Sequence, residues 1–323
     1  MIRAWHADEG AVRTVDAGEA VRLASSGPGF VWLDFDSEPG DVVGPRLAPL
    51  GIHPLVVEDM VAEVNRPKVD SYGAYLYVVA HSARWDEDRP VLRELDLVVG
   101  RRFLVTHHEG ATRSVDTAHE MLPRRPELLG NGPATLMHFL LDVLVDHWMP
   151  IMDQITEEID DLEEAVFAGS DPAVHQRILR LKRGMSALRR VVGPQRDTVL
   201  ALTRDEFEPV PPEVRPYLRD VYDRLARVSD LLDSFRDEIA TLLDLHVSRI
   251  SNQMNDVIKR LTVIATVGLP LTIVTSYYGM NVGPERIFPE FRWLHVHPIA
   301  VVWALLVLTT GITWWVLRRK RWM

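Results

Sequence analysis

Small, polar or moderately apolar side chains recur on one side of a predicted helix near the C-terminal end of this 323-residue chain. The positions, three or four residues apart, are Asn255, Ile258, Thr262, Ala265, Leu269, Thr272 and Ser276. An uncharged face of this kind suits the lining of a pore in a helix oligomer. It equally suits packing and interhelical hydrogen bonds between membrane helices, where Thr and Ser are common. The spacing alone leaves both interpretations open.

A neutral amide and two acids follow this face. Gly279 permits a helix to end, and Asn281 presents an amide oxygen two residues later. No acidic residue lies between Lys259 and Glu285. Glu285 and Glu290 would raise the local cation concentration at a pore entrance, or they are ordinary loop acids.

Other residues with possible chemistry lie further upstream. A dense acidic block at 157–164 either forms a solvated helix face or attracts divalent cations, which prefer carboxylate oxygens. The absence of Cys excludes disulfides, thiol nucleophiles and Cys-ligated metals. No phosphate-binding loop, nucleophile elbow or His-Glu-x-x-His motif occurs, and His107 and His108 are expected to be structural. The sequence therefore predicts that the protein is not an enzyme and uses no organic cofactor.

Two uncharged stretches are long enough to cross a lipid bilayer. Segments 261–279 and 298–317 hold 19 and 20 residues, and about 20 apolar residues cover the roughly 30 Å hydrocarbon core. Lys259 and Arg260 precede the first stretch, and basic residues at 318–321 follow the second. Because basic loops stay inside, we expect a multi-pass protein of the plasma (inner) membrane with both termini in the cytoplasm.

The charge is divided unevenly along the chain. Residues 261–323 hold six basic and two acidic residues, which leaves −14 on residues 1–260 when the whole chain carries −10. This acidic balance argues against nucleic acid as a partner.

The polar portion before the membrane predicts an α/β unit followed by long helices. β-rich runs occur at 30–36, 74–85 and 94–108, and 134–203 has helical periodicity. Apolar residues then recur alternately three and four positions apart, at 218, 221, 225, 228, 232, 235, 239 and 242. We expect one helix from about Pro216 to Tyr278, on the order of 95 Å long. Its apolar seam needs partners, either other copies of the chain around an axis or helices of the same chain.

The predicted fold class is an α/β cytoplasmic domain, a long helical stalk and two C-terminal transmembrane helices. The domain boundaries are 1–130 for the α/β domain, 131–212 for a helical hairpin region, 213–260 for the stalk, 261–280 for the first transmembrane helix, 281–297 for an extracytoplasmic loop, 298–317 for the second transmembrane helix and 318–323 for a basic cytoplasmic tail.

Segments along almost the whole chain resemble the CorA family of magnesium transporters. Residues 278–281 resemble the family's Gly-Met-Asn signature, and 255–272 are similar to its first membrane helix. Residues 288–293 are similar to its Met-Pro-Glu-Leu loop, and 318–322 to its basic tail. The upstream segments that resemble the family are 53–55 with Glu58 and Asp59, 65–68 and 219–223.

The resemblance implies a funnel-shaped homopentameric channel in the lipid bilayer, with one long helix per subunit lining an axial pore. It implies a selectivity filter of Gly279, Met280 and Asn281. Its pore positions fall on Asn255, Ile258, Leu261, Leu269, Thr272 and Ser276, with Ile258 and Leu261 as a hydrophobic constriction. Five Asn281 amide oxygens would accept hydrogen bonds from the waters that Mg²⁺ releases reluctantly. Mg²⁺ would be both transported and regulatory, with cobalt as a further cargo.

The resemblance also implies control by cytoplasmic divalent cations. The family's intersubunit sensing acid falls on Asp220, and Glu94 or Asp96 are the predicted partner acids that bind the metal with it. Bound cations would offset repulsion between acidic subunits, so we expect high internal Mg²⁺ to keep the pore closed. A surface ion pair between Asp220 and Arg224, four residues later, is the alternative.

Some positions depart from the family pattern. Ile258 and Leu269 stand where Met is expected, and Ser276 where Gly is expected. Residues 281–284 lean toward the zinc-transporting ZntB relatives, and His295 and His297 are candidate zinc or cobalt ligands. A zinc, cobalt or nickel transporter is therefore an alternative. A non-conducting, membrane-anchored metal sensor is a second alternative, although an anchor has no need of a neutral, small-residue face.

Overall fold

The computed structural model describes residues 1–8, 11–61, 65–86, 89–126, 132–169, 173–204, 206–279 and 298–319. The strands are β1 (Ile2–Asp8), β2 (Ala11–Thr14), β3 (Phe30–Asp36), β4 (Lys68–Ser71), β5 (Tyr75–Asp86), β6 (Arg89–Gly100) and β7 (Phe103–His108). The helices are α1 (Ala17–Ser26), α2 (Gly40–Leu47), α3 (Pro54–Val61), α4 (Arg113–Met121), α5 (Pro133–Asp146), α6 (Trp148–Ala168), α7 (Val174–Leu202), α8 (Arg215–Tyr278) and α9 (Pro298–Arg319). The chain divides into two units, Met1–Leu243 and Asp244–Met323.

The first unit is built on a sheet with the strand order β2-β1-β3-β7-β6-β5-β4. β3 and β7 are parallel, and the other neighbouring strands are antiparallel. Side chains alternate across the sheet, so Trp32 belongs to one core and Val31 and Leu33 to the other. The predicted α/β character is confirmed, and β1, β2 and β4 are strands that the hydrophobic pattern did not predict.

The apolar seam of α8 is buried within its own chain. Its residues are Leu218, Val221, Leu225, Val228, Leu232, Phe235, Ile239 and Leu242, and all eight belong to the large core that also includes residues of α5, α6 and α7. The periodicity therefore predicted the helix and its buried face. The seam does not need a second copy of the chain, because helices of the same chain already cover it.

The second unit begins where this burial ends. From Asp244 onward α8 exposes large apolar side chains, among them Leu245, Ile250 and Met254. Among the described residues, α8 is the helix with a stretch long and apolar enough to cross a membrane. α9 is 22 residues long, and its charged residues are Arg318 and Arg319 in its last turn. Exposed apolar surface of this extent is unfavourable in water, at about 25 cal/mol per Å².

Candidate ion pathway and cytoplasmic acidic sites

The predicted pore positions lie on one exposed side of α8. Ile258, Leu261 and Leu269 are 54%, 65% and 63% exposed, and Asn255, Thr272 and Ser276 are exposed as well. At about 100° per residue, these positions lie close together around the helix axis. The structure thus brings all six onto one uncharged surface.

The opposite side of α8 is more covered. Val263, Val267, Leu271 and Val274 are each partly buried. They lie roughly half a turn around the axis from Ile258 and Ser276. The helix therefore has two distinct sides in this segment, and the polar groups of the predicted pore lie on the more exposed one.

Threonine hydroxyls along this segment bond to the helix itself. Thr262, Thr266, Thr272 and Thr275 each donate to the carbonyl four residues earlier, at 2.6–2.9 Å. For Thr272 the acceptor is the Gly268 carbonyl, at 2.9 Å. A hydroxyl that donates to the backbone keeps its lone pairs as acceptors. The exposed Thr272 oxygen can thus accept a hydrogen bond from the water shell of a cation without costing the helix an unpaired donor.

One proline interrupts the hydrogen-bond ladder of this segment. Pro270 lies inside α8 and has no N–H to donate to the Thr266 carbonyl. The helix nevertheless runs on to Tyr278.

Gly279 is the one residue of the candidate filter that the structure describes. Its N–H donates to the Thr275 carbonyl at 2.9 Å, and an added Cβ would come within 3.1 Å of that oxygen. This close approach favours glycine. The other predicted filter residues, Met280 and Asn281, lie outside the described residues, as do the predicted cation-attracting acids Glu285 and Glu290.

The predicted sensing acid, Asp220, lies on an exposed side of α8 next to Arg224. Its Oδ2 is 3.2 Å from Arg224 Nη2. This is the surface ion pair that the sequence offered as the alternative to a metal-binding role. Two acids of α5 also contact this guanidinium: Asp142 contacts Nη2 and Asp146 contacts Nη1. Burial opposes the charge of Arg224, but the hydrogen bonds and charges of these acids raise its pKa above the ordinary value. The cluster is thus three carboxylates around one permanent cation.

The other predicted metal ligands, Glu94 and Asp96, face a cleft of about 720 Å³ inside the first unit. Tyr77 Oη donates to Asp96 Oδ1 at 2.7 Å, and the Asn65 backbone N–H donates to Glu94 Oε2 at 2.6 Å. Burial and the charge of Asp96 raise the pKa of Glu94 to about 7. Burial also raises the pKa of Asp96, which is 2% exposed. Within the part of one chain that the structure describes, no contact joins Glu94 or Asp96 to Asp220.

A buried network surrounds Asp34, which the sequence patterns did not predict. This carboxylate accepts hydrogen bonds from Thr106 Oγ1 at 2.6 Å and Arg3 Nε at 3.2 Å, and lies 2.9 Å from His119 Nε2. Trp5 Nε1 donates to His119 Nδ1, so the neutral imidazole carries its proton on Nε2 and donates it to Asp34. His108 lies 3.2 Å from the same carboxylate. The signal in the sequence was an acid at the centre of the apolar run 30–36.

The acidic block at 157–164 forms the outer side of α6. Asp160, Asp161 and Glu164 are exposed, and Glu158 pairs with Arg177 at 2.9 Å. Across the part of the chain that the structure describes, no group of three or more acidic or histidine side chains is arranged to hold a metal ion. The block therefore has the geometry of a solvated helix face.

Fold and surface together define a protein with an acidic α/β unit and a long helix whose C-terminal part presents an uncharged, largely apolar surface. Residues 27–319 match the family described as CorA-like Mg²⁺ transporter protein. The chain belongs to this family.

Individual relatives match along most of their length. The cobalt/magnesium transport protein CorA of Thermotoga maritima is 33% identical over 276 residues, which are 84% of this chain and 77% of that protein. The zinc transport protein ZntB of Cronobacter sakazakii is 28% identical over 278 residues, 83% of this chain and 80% of that protein. The solved CorA magnesium transporter of Methanocaldococcus jannaschii has a TM-score of 0.83 at 19% identity and covers 100% of this chain and 99% of that chain, which supports the fold alone.

Proposed function

We propose that this protein is a homopentameric channel that carries Mg²⁺ across the plasma membrane into the cytoplasm. In this proposal α8 lines the pore, α9 is a second transmembrane helix, and both termini are cytoplasmic. The observation that carries the proposal is the exposed, uncharged side of α8 with Asn255, Thr272 and Ser276 on it. The names of the relatives support a divalent cation as cargo.

The proposed filter is Gly279, Met280 and Asn281. Mg²⁺ keeps its water shell unless octahedral ligands replace it, so amide oxygens that accept hydrogen bonds from that shell avoid the cost of stripping it. Glu285 and Glu290 would concentrate cations outside the filter. A divalent ion that enters an interior-negative cell gains about 4.6 kcal/mol per 100 mV, so transport needs no catalytic step and no organic cofactor.

The proposed control of the pore uses cytoplasmic acids that bind Mg²⁺ at subunit interfaces, with Asp220 as the main ligand and Glu94 and Asp96 as further candidates. The exposure of Asp220 supports its role, because a neighbouring subunit can reach it. Glu94 and Asp96 are largely buried, so they would act only after a change in the cleft.

Influx into proteoliposomes that contain a Mg²⁺-sensitive dye tests this function. With an inside-negative potential, the wild type should conduct Mg²⁺, and Asn281→Ala should lose flux or selectivity. Gln253→Ala is the matched control, because it removes an exposed amide on the opposite side of α8. Co²⁺, Ni²⁺ and Zn²⁺ as competitors distinguish the cargo.

The outcomes separate the proposed function from its rivals. Flux of Zn²⁺ but not Mg²⁺ would favour a zinc transporter, to which the ZntB relative also points. Absence of flux for every divalent ion would refute the channel and favour a membrane-anchored sensor.

A further inference from the structure

The guanidinium of Arg224 occupies the centre of the acidic cluster that contains the proposed regulatory ligand. Asp142 and Asp220 contact the same nitrogen, Nη2, and Asp146 contacts Nη1. α5 and α8 bring these residues together within one subunit, so the arrangement needs no partner chain. The Arg224 side chain is 18% exposed, whereas that of Asp220 is 70% exposed.

Unlike a dissolved cation, Arg224 is part of α8 and cannot diffuse away from the acidic cluster. The guanidinium stays charged at any physiological pH and presents a fork of donors that matches carboxylate oxygens. Its attachment to the same helix as Asp220 keeps its effective concentration high. A divalent cation that binds Asp220 must therefore compete with a positive charge that is already in place.

Without this arginine, Asp220 would have two neighbouring carboxylates, Asp142 and Asp146, and no fixed cation beside it. All three carboxylates contact nitrogens of one planar guanidinium, so removing the arginine would leave three negative charges as neighbours. Mg²⁺ commonly binds through one or two carboxylates and keeps several waters, so Asp220 does not need the other two acids as direct ligands.

We propose that Arg224 is a tethered competitor that sets the cytoplasmic Mg²⁺ concentration at which Asp220 binds the ion. This inference rests on the proposed regulatory role of Asp220. In the resting subunit Arg224 neutralises part of the cluster, and Mg²⁺ binds at Asp220 only when its concentration is high enough to displace the arginine. The channel then stays open to a higher internal Mg²⁺ concentration than the three acids alone would permit.

Mg²⁺-dependent protection of the purified full chain against limited proteolysis tests this inference. Arg224→Met should shift the protection midpoint to a Mg²⁺ concentration at least about tenfold lower than in the wild type, as expected when one unit charge is removed beside a divalent ion. The double variant Arg224→Met/Asp220→Asn should lose this shift. Arg227→Met, an exposed arginine one turn further along α8, is the matched control and should keep the wild-type midpoint.

A second variant keeps the test decisive if Arg224→Met unfolds. Arg224→Lys retains the charge but loses the fork, so its midpoint should lie between those of the wild type and the methionine variant. Equal midpoints in the wild type and both Arg224 variants, or no Mg²⁺ response in any of them, would overturn the proposal. Mg²⁺ influx measured on the same wild-type preparation separates the outcomes, because absent flux refutes the channel, whereas normal flux with unchanged midpoints refutes only the role of Arg224.

Discussion

Glu94 is largely buried beside another acid, and this makes the stability of the folded chain depend on pH. Its side chain is 15% exposed, the Asn65 N–H groups hold both of its oxygens, and burial and the charge of Asp96 raise its pKa to about 7. The ordinary value is 4.5, so between about pH 4.5 and 7 the folded chain binds a proton that the unfolded chain has lost. Stability is therefore lost as the pH rises through this window.

The variant Glu94→Gln should remove this pH dependence. The amide cannot ionise, so the stability of the variant relative to the wild type should be higher above pH 7 than at pH 4.5, by an amount on the order of 2 kcal/mol. Denaturant unfolding of the purified chain at both pH values measures the difference. Glu120→Gln, which removes an exposed charge of α4, should show no such difference. Parallel pH profiles for the wild type and Glu94→Gln would contradict the role of this residue.

At the scale of single elements, α8 has a buried apolar surface in its first part and an exposed apolar surface in its second part. From Leu218 to Leu242 its apolar side chains are buried, and beyond Asp244 they are exposed. The alternation of threes and fours predicted the first part, because heptad-like spacing marks a face that packs against other helices. It could not identify the covering helices, because α5, α6 and α7 reach α8 through the tertiary fold. For this reason, the sequence alone left open whether other copies of the chain or helices of the same chain cover the seam.

The proposed constriction gives a test of the exposed part of α8. Ile258 and Leu261 would repel water from a narrow pore and so block ions. Leu261→Ser should raise the flux measured at high internal Mg²⁺ by severalfold, because a polar ring holds water in the pore. Val263→Ser is the matched control, since Val263 lies on the opposite, more covered side of the helix. Equal flux in both variants would show that Leu261 does not form the constriction of the pore.

At the scale of the whole molecule, the exposed apolar surface of the second unit predicts assembly. Met254 and Val257 are 59% and 64% exposed on the single chain, just before the uncharged segment. Native mass spectrometry should find five copies of the 36.7 kDa chain in the detergent-extracted complex. Met254→Asp should shift the population toward fewer copies, whereas Ser26→Asp, on α1 in the first unit, should leave it unchanged. A wild type with any other stoichiometry would contradict the pentamer.

Local sequence patterns predicted much of the fold, but they did not predict the contacts of the acidic cluster around Arg224. The β-rich runs at 30–36 and 74–85 predicted β3 and β5, and the run at 94–108 covers the end of β6 and all of β7. The periodicity predicted the long helix. The contacts of Arg224 with Asp142 and Asp146 join positions about eighty residues apart, which no local spacing encodes. Burial of Asp96 likewise depends on the neighbouring strands and on Tyr77.

Pro270 gives α8 a place to bend. An uninterrupted helix resists bending because every backbone hydrogen bond must adjust, whereas the bond that Pro270 cannot make leaves the Thr266 carbonyl without that restraint. The proline lies between Leu261, on the cytoplasmic side in the proposed channel, and Gly279 at the candidate filter. A hinge at this position would let the constriction widen while the filter end of the helix stays in place, so that opening need not alter which ion is selected.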